Sequence, residues 1–262
     1  MLLAVAVENT RTLVGLLDSD QGEATDGGTV KRHWWVGTDT RRTADEWAVL
    51  LEGLLSGETQ VDGLAVCSAV PSVLHELRDL VARYYPGVPS VVVEPGVKTG
   101  LPVLVDNPRE VGTDRIANAL AAVHRYGAPC IVADFGTATT VDVVNASGAF
   151  IGGAIAPGIE TAMDALGQSA AQLRRVELLR PRSVVAKNTV EALQAGAVFG
   201  FAGLVDGIVT RIVAEQGFDR SAVTVVATGA LAALVVEECD QIDQHEPFLT
   251  LLGLQRAFAR NR

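Results

Sequence analysis

Two short apolar runs open the chain, "LLAVAVE" from Leu2 and "TLVGLLD" from Thr12, with polar residues between them. Runs of this length bounded by polar corners predict strands. A third, "KRHWWVG", follows Gly27 and Gly28 and completes an antiparallel meander. In "TADEWAVLLEGLLSG" the period changes. Trp47, Leu50, Leu51, Leu54 and Leu55 lie on one helical face, Thr43 and Glu46 form a capping box at its start, and Gly57 suits its stop. Then come a buried strand, "VDGLAVCSAV", a helix in "PSVLHELRDLVARYY" with Pro71 near its start, and a strand in "PSVVVEPG". The predicted order is three strands, helix, strand, helix, strand.

The pattern then recurs. A helix is predicted from about Pro108 to Tyr126, and "PCIVADFGTATTVDVVNASGAFIGGAIAPG" reads as three strands with a turn at Asn145–Gly148. A helical region from about Gly158, a long helix after Asn188 and the strand "AVTVVATG" follow. The repeat period is about 130 residues. Such a repeat predicts an α/β protein built from a duplicated mixed sheet flanked by helices, with a cleft between the halves. The corners differ: the second carries Asp134 and Gly136, and the first has Ala6 and Glu8 in the equivalent slots.

Composition narrows the class. With 48% hydrophobic and only 20% charged residues, the 262-residue chain can bury one large core or two modest ones, which excludes a disordered protein. No apolar run is read as long enough to span a bilayer; the nearest, "AVTVVATGALAALVV" from Ala222, is broken by Gly229. The N-terminus lacks a basic region and a cleavage site, so a cytoplasmic protein is expected. A net charge of −10 argues against nucleic acid and anionic membrane as partners. The basic stretch "LRRVELLRPRSVVAK" from Leu173 reads as a solvated face. Cys67, Cys130 and Cys239 lie far apart in apolar surroundings, as reduced core residues do.

Two stretches carry candidate chemistry. In "ADFGTATT", an acid ends a buried strand, a glycine allows close backbone approach, and Thr137, Thr139 and Thr140 add hydroxyls. Such a corner can hold a phosphate or an ion, although an ordinary hairpin has the same look. In "DNPREVGTDRIANAL", Gly112, Asp114 and Arg115 fall within the predicted helix. A helical glycine costs roughly 1 kcal/mol relative to alanine, so close ligand approach is a motive for it. Asp114 could take a proton from a hydroxyl while Arg115 binds an anionic group, or both could pair locally.

Together, "EPGVKTGLP", "DNPREVGTDRI", "DFGTATTVDVV", "FIGGAIAPG", "KNTVEALQAGAVFGFAGLVDG" and "VVATG" resemble, in order and over essentially the whole chain, the motifs of type III pantothenate kinases. These belong to the acetate kinase, sugar kinase, Hsc70 and actin superfamily. The resemblance implies a duplicated ribonuclease-H-like fold, drawn here as lobes 1–117 and 118–262, with Asp114 and Asp134 facing each other across the cleft. It further implies ATP-dependent phosphorylation of pantothenate, the first step towards coenzyme A, by a homodimer. Asp114 matches the catalytic base, Gly112, Thr113, Asp114 and Arg115 the pantothenate-binding segment, and Thr189 a further substrate contact. Asp134 matches the ligand of a monovalent cation, K+ or NH4+. Asn9, Thr10, Arg11, Thr137 and Gly229 are the candidate ATP contacts, and Mg2+ would accompany the nucleotide.

The departures lie on the nucleotide side. The family's first phosphate motif, Asp-x-Gly-Asn-Thr, here reads Ala6-Val7-Glu8-Asn9-Thr10. The acid that helps hold Mg2+ is missing, and a longer acid stands where the glycine was. Strand alternation puts Ala6 and Glu8 on one face, so Glu8 could reach the metal from one pleat further along. Ala230 replaces a glycine after Gly229, Val105 replaces a frequent tyrosine, and Arg11 could offset lost positive charge or lie at the surface. Three readings therefore stand: a pantothenate kinase; a catalytically impaired homologue acting as a regulator or pairing with an intact paralogue in a heterodimer; and a kinase for another small hydroxy compound.

Overall fold

A computed structural model of the chain describes residues 1–18, 29–57, 60–94, 96–169 and 176–262. The Gly27–Gly28 turn, Pro95 of "EPGVKTGLP" and the start of the basic stretch at residues 173–175 lie outside the described residues. The chain forms two compact units, Met1–Arg125 with Phe248–Arg262, and Tyr126–Pro247.

In the first unit, β1 (Leu2–Val7), β2 (Arg11–Leu17) and β3 (Val30–Gly37) form the antiparallel meander. α1 (Ala44–Leu55), β4 (Gly63–Ser68), α2 (Pro71–Tyr84) and β5 (Ser90–Val93) follow in the predicted order. β4 pairs in parallel with β1, giving the sheet order β3-β2-β1-β4-β5. The capping box of α1 is present: the Glu46 amide donates to Thr43 Oγ1 at 3.3 Å, and the Thr43 amide to Glu46 Oε2 at 2.8 Å. Trp47, Leu51 and Leu55 of α1 are buried with Val73, Leu77 and Leu80 of α2. They pack against Leu3, Val5 and Val7 on one face of β1.

Alternation turns Leu2, Ala4 and Ala6 to the other face of the sheet. That face is covered by the last helix of the chain, for which α7 is reserved, spanning Leu249–Asn261. A Cβ added at Gly15 would collide with Leu251, and one at Gly63 with Phe258, so the two strand glycines are the seats of α7. α7 also meets α3 (Thr113–Tyr126), where a Cβ at Gly253 would strike the Ala117 backbone and the Thr250 hydroxyl lies 2.7 Å from Asn118 Oδ1. α3 thus runs on past the boundary drawn at 117/118. The compact units divide at 125/126, and Phe248–Arg262 joins the first of them.

The second unit repeats the plan. β6 (Cys130–Phe135), β7 (Ala138–Val144) and β8 (Phe150–Pro157) form a meander, with the β7–β8 turn closed by the Gly148 amide on the Asn145 carbonyl at 2.9 Å. Then come α4 (Ile159–Ser169), α5 (Thr189–Gln216), β9 (Thr224–Thr228), the short α6 (Ala232–Val235) and β10 (Gln244–His245). The order β10-β9-β6-β7-β8 is that of the first sheet with β9 in the place of β4. Contrary to the expectation that no run could span a bilayer, α5 is long and apolar enough by length and composition. Its Ala197, Ala202, Val205 and Val209 are built into the core beneath β6 and β9, and 28% of its most apolar window is buried. Glycines and alanines spread along it mask its apolar character in a search for continuous bulky runs.

The three cysteines are free; Cys67 and Cys130 are buried and Cys239 is partly exposed. In the described part of the basic stretch, Arg180 and Arg182 are exposed and ion-paired with Glu237 and Glu191.

Candidate active site

The repeat places two comparable corners at the ends of β1 and β6. In the first unit, Ala6 pairs with Leu13 of β2 and Cys67 of β4. In the second, Asp134 pairs with Thr140 of β7 and Thr228 of β9. Ala6 therefore occupies the place of Asp134, and Glu8 that of Gly136. The acid that stands at one corner is absent at the same point of the other.

The first corner is not empty of acid. Immediately beyond β1, the Glu8 amide donates to the Arg11 carbonyl at 2.9 Å. The Glu8 carbonyl accepts from Thr38 Oγ1 at 2.8 Å, and Thr38 is in hydrogen-bonding contact with Thr12 at 2.9 Å. With both main-chain groups engaged, Glu8 presents its side chain from a fixed base. Burial, then the negative charge of Asp114, raises the Glu8 carboxyl from 4.5 to about 7, and Arg11 opposes the rise. Burial followed by the charges of Asp114 and Glu8 pushes the Cys67 thiol far up, keeping it protonated, against a hydrogen bond with Thr113. Cys67 pairs with Ala6, and Thr113 Oγ1 donates to the Ser68 carbonyl at 3.4 Å, which sets the head of α3 at the ends of β1 and β4 beside Glu8. Arg11 is part of the corner; Asn9 and Thr10 are exposed at its tip.

Asp114 reaches this place from the first turn of α3, where the positive end of the helix favours a carboxylate. The predicted helix from Pro108 is interrupted. Pro108–Glu110 is a 3-10 turn capped by Asn107, Val111 is extended, and α3 begins at Thr113. Gly112 thus stands before the helix, with its carbonyl accepting from the Ile116 amide at 3.2 Å. The cost of a mid-helix glycine does not apply. Instead, a Cβ there would collide with the Asp114 carboxylate.

Beside this segment lies a cavity of about 350 Å³ whose walls include Val97, Leu101, Val103, Val111 and Ile116, with Thr99, Arg109 and Thr113 as polar members. It joins the "EPGVKTGLP" and "GTDR" stretches into one site. Gly100 of the former has φ +81°, and a Cβ on it would strike the Arg260 guanidinium of α7. Asn261 of α7 donates to the Lys98 carbonyl at 3.0 Å. This support from the end of the chain has no signal in the local sequence.

In the second corner, Asp134 is half-buried, and Gly229 (φ +96°) lies where a Cβ would meet its Oδ1. The Thr137 carbonyl accepts from the Gly158 amide at 3.1 Å and from Thr161 Oγ1 at 2.8 Å, and a Cβ on Gly158 would strike the backbone of residues 136 and 137. Gly229 therefore stands against Asp134, while Thr137 is held to the head of α4 through Gly158 and Thr161. Thr139 is not with them: it pairs with Phe135, shares its core-facing side, and its buried hydroxyl has no hydrogen-bond partner among the described residues. Thr189 is exposed at the start of α5, beside Asn188, whose Oδ1 caps the Glu191 amide at 2.9 Å. Asp142 was missed from the sequence. It is fully buried and accepts from Thr140 at 3.2 Å, and its signal was a lone acid inside an apolar strand.

The donor sets suit hard cations. Asp134, with hydroxyl and carbonyl oxygens and no glycine Cβ in the way, matches an oxygen-liganded ion. Ala6 has no ligand atom, but the Glu8 and Asp114 carboxyls are of the kind that bind Mg2+ together with phosphate. Among the described residues no group of three or more His, Cys, Asp or Glu forms a metal cage.

A model of the type III pantothenate kinase family matches residues 2–211. Type III pantothenate kinases from Streptomyces avermitilis and a Nocardioides species are each 57% identical to the chain. The first match covers 100% of this chain and 98% of that protein, the second 99% of each. An inorganic polyphosphate/ATP-glucomannokinase from an Arthrobacter species, 13% identical, superposes with a TM-score of 0.52 over 100% of this chain and 99% of its own, and so shares the fold. On the family model and these near full-length relatives together, the chain belongs to the type III pantothenate kinase family.

Proposed function

We propose that this protein transfers the γ-phosphoryl group of ATP to the primary hydroxyl of pantothenate, releasing ADP. The observation that supports the reading is the head of α3, where Thr113, next to Asp114 in the chain, lines a cavity of about 350 Å³. Asp114 takes the hydroxyl proton as the oxygen attacks phosphorus. Arg115 holds the pantothenate carboxylate, Thr113 and the apolar wall hold its body, and Thr189 adds a substrate contact. Gly112 leaves room for the Asp114 carboxylate to turn. Thr137, Gly229, Asn9, Thr10 and Arg11 contact the nucleotide, and Asp134 holds K+ or NH4+. Phosphoryl transfer depends on positioning and charge neutralisation, and bound Mg2+ supplies the latter at the phosphates. We place the reaction in the cytoplasm. We assign the partly exposed apolar surface of α5, including Val190 at 49% exposure, to a homodimer contact.

The test incubates purified protein with ATP, Mg2+, K+ and pantothenate and follows phosphopantothenate by mass spectrometry. Product formation that falls when Na+ replaces K+ is expected. ADP release with other hydroxy acids but not with pantothenate would move the substrate. Absence of both ATP binding and turnover would leave an impaired homologue.

A further inference from the structure

The two corners of the duplicated fold differ in one respect that the structure makes specific. Position 6 is a buried alanine paired with Cys67, where the second unit has Asp134 paired with Thr228. Two residues on, and on the same face, is Glu8, its main chain tied to Arg11 and Thr38. Thr113, the neighbour of Asp114, donates its hydroxyl to the Ser68 carbonyl at 3.4 Å, and Ser68 is the β4 partner of Val7, so the head of α3 stands at the strand end from which Glu8 projects. Two half-buried carboxyls brought to one strand end are costly unless a cation joins them.

We infer that Glu8 is the displaced cation-anchoring acid of the first corner, and that with Asp114 it holds the divalent ion accompanying the nucleotide phosphates. The inference rests on the phosphoryl-transfer reading above. A glutamate is one methylene longer than an aspartate and starts one pleat nearer the strand end. Set on a fixed main chain, it can place its oxygens above the point where a carboxylate on residue 6 would have ended. Arg11, the cation nearest in effect, belongs to the following strand and supplies a single charge. The donor pair is all oxygen and incomplete, which suits an ion that keeps waters and phosphate oxygens for its other positions, as Mg2+ and Mn2+ do. Ala6 and Glu8 are on this account one compensated change: the acid left one position and reappeared on the same face at the next.

Mn2+ serves as the probe, titrated into the full chain with and without ADP and followed by the loss of the free-ion paramagnetic resonance signal. Wild type is expected to bind one ion, more tightly with ADP. Glu8→Gln, which keeps the side-chain length and removes the charge, should weaken Mn2+ by about tenfold or more. Ala6→Asp combined with Glu8→Gly should return binding towards wild type, while Glu8→Gly alone should not. Wild-type Mn2+ affinity in Glu8→Gln, or no ion bound by wild type even with ADP, would overturn the assignment. Circular dichroism checks that each variant is folded, and the double variant keeps the test decisive if a single one is not. Separate measurement of phosphopantothenate distinguishes the failures. Glu8-dependent Mn2+ binding without turnover refutes the substrate reading alone, and turnover with Glu8-independent Mn2+ binding refutes this inference alone.

Discussion

Glu8→Gln should make the metal-free protein more stable at alkaline pH. The folded protein holds a proton on Glu8 up to about 7, whereas the unfolded chain releases it near 4.5, because burial and Asp114 disfavour the charge and Arg11 only partly compensates. Between those values the folded state binds more protons than the unfolded state, so stability falls as pH rises. At 1.36 kcal/mol per pH unit, ionising Glu8 costs the fold about 3 kcal/mol once the pH is above both values. The amide side chain of the variant never ionises and escapes that cost. The groups around Glu8, namely Asp114 on α3, Cys67 on β4 and Arg11 on β2, are present in both proteins and largely cancel in the difference. The assay is urea denaturation in EDTA from pH 5 to pH 8, followed by tryptophan fluorescence. All three tryptophans, Trp34, Trp35 and fully buried Trp47, lie in the unit that carries Glu8, so the signal reports on it. Wild type should lose about 2–3 kcal/mol relative to the variant across that range. Parallel stability curves would refute the account of a half-buried, charge-opposed carboxyl.

The other expectations concern the site and its supports. Asp114→Asn should lower turnover by about 10²–10⁴-fold while calorimetry still finds pantothenate bound within a few-fold of wild type. Gly229→Ala places a methyl against Asp134 at φ +96° and 2.7 Å from the Phe135 amide nitrogen. The K+ concentration for half-activation should rise by about tenfold, with little change when ATP is varied at saturating K+. Gly253→Ala puts a Cβ 2.8 Å from Ala117 Cα, against backbone that cannot turn aside. Thermal and urea melts should show a loss of about 1–3 kcal/mol, together with reduced activity as α3 is displaced.

Much of this architecture was legible because local signals agreed with the tertiary outcome. Apolar runs bounded by polar corners marked β1, β2 and β6 to β8, and Thr43 with Glu46 marked the start of α1. The internal repeat predicted two sheets of one order. Alternation alone placed Ala6 and Glu8 on one side, where the structure has Glu8 acting on Asp114. Gly112 was misread because glycine and a helical period look alike before and inside a first turn; the extended Val111 settles it. Thr139 was misplaced because its neighbour register with Phe135 depends on where the corner turns. Nothing local could show that Arg260 occupies the space left by Gly100, or that Gly15 and Gly63 exist to seat Leu251 and Phe258. Those contacts join residues that the chain separates by most of its length.

The return of Phe248–Arg262 to the first unit has a consequence for synthesis. On the ribosome, residues 1–125 emerge early, yet one face of their sheet stays uncovered until α7 has been made. Meanwhile the inserted unit, whose residues are all consecutive, can close by itself. A premature stop near Phe248 would therefore spare the part made later and cripple the part made first, including the segment that bears Asp114. A bulky fusion at Arg262 endangers the same early-made portion, however distant it is in the reading frame.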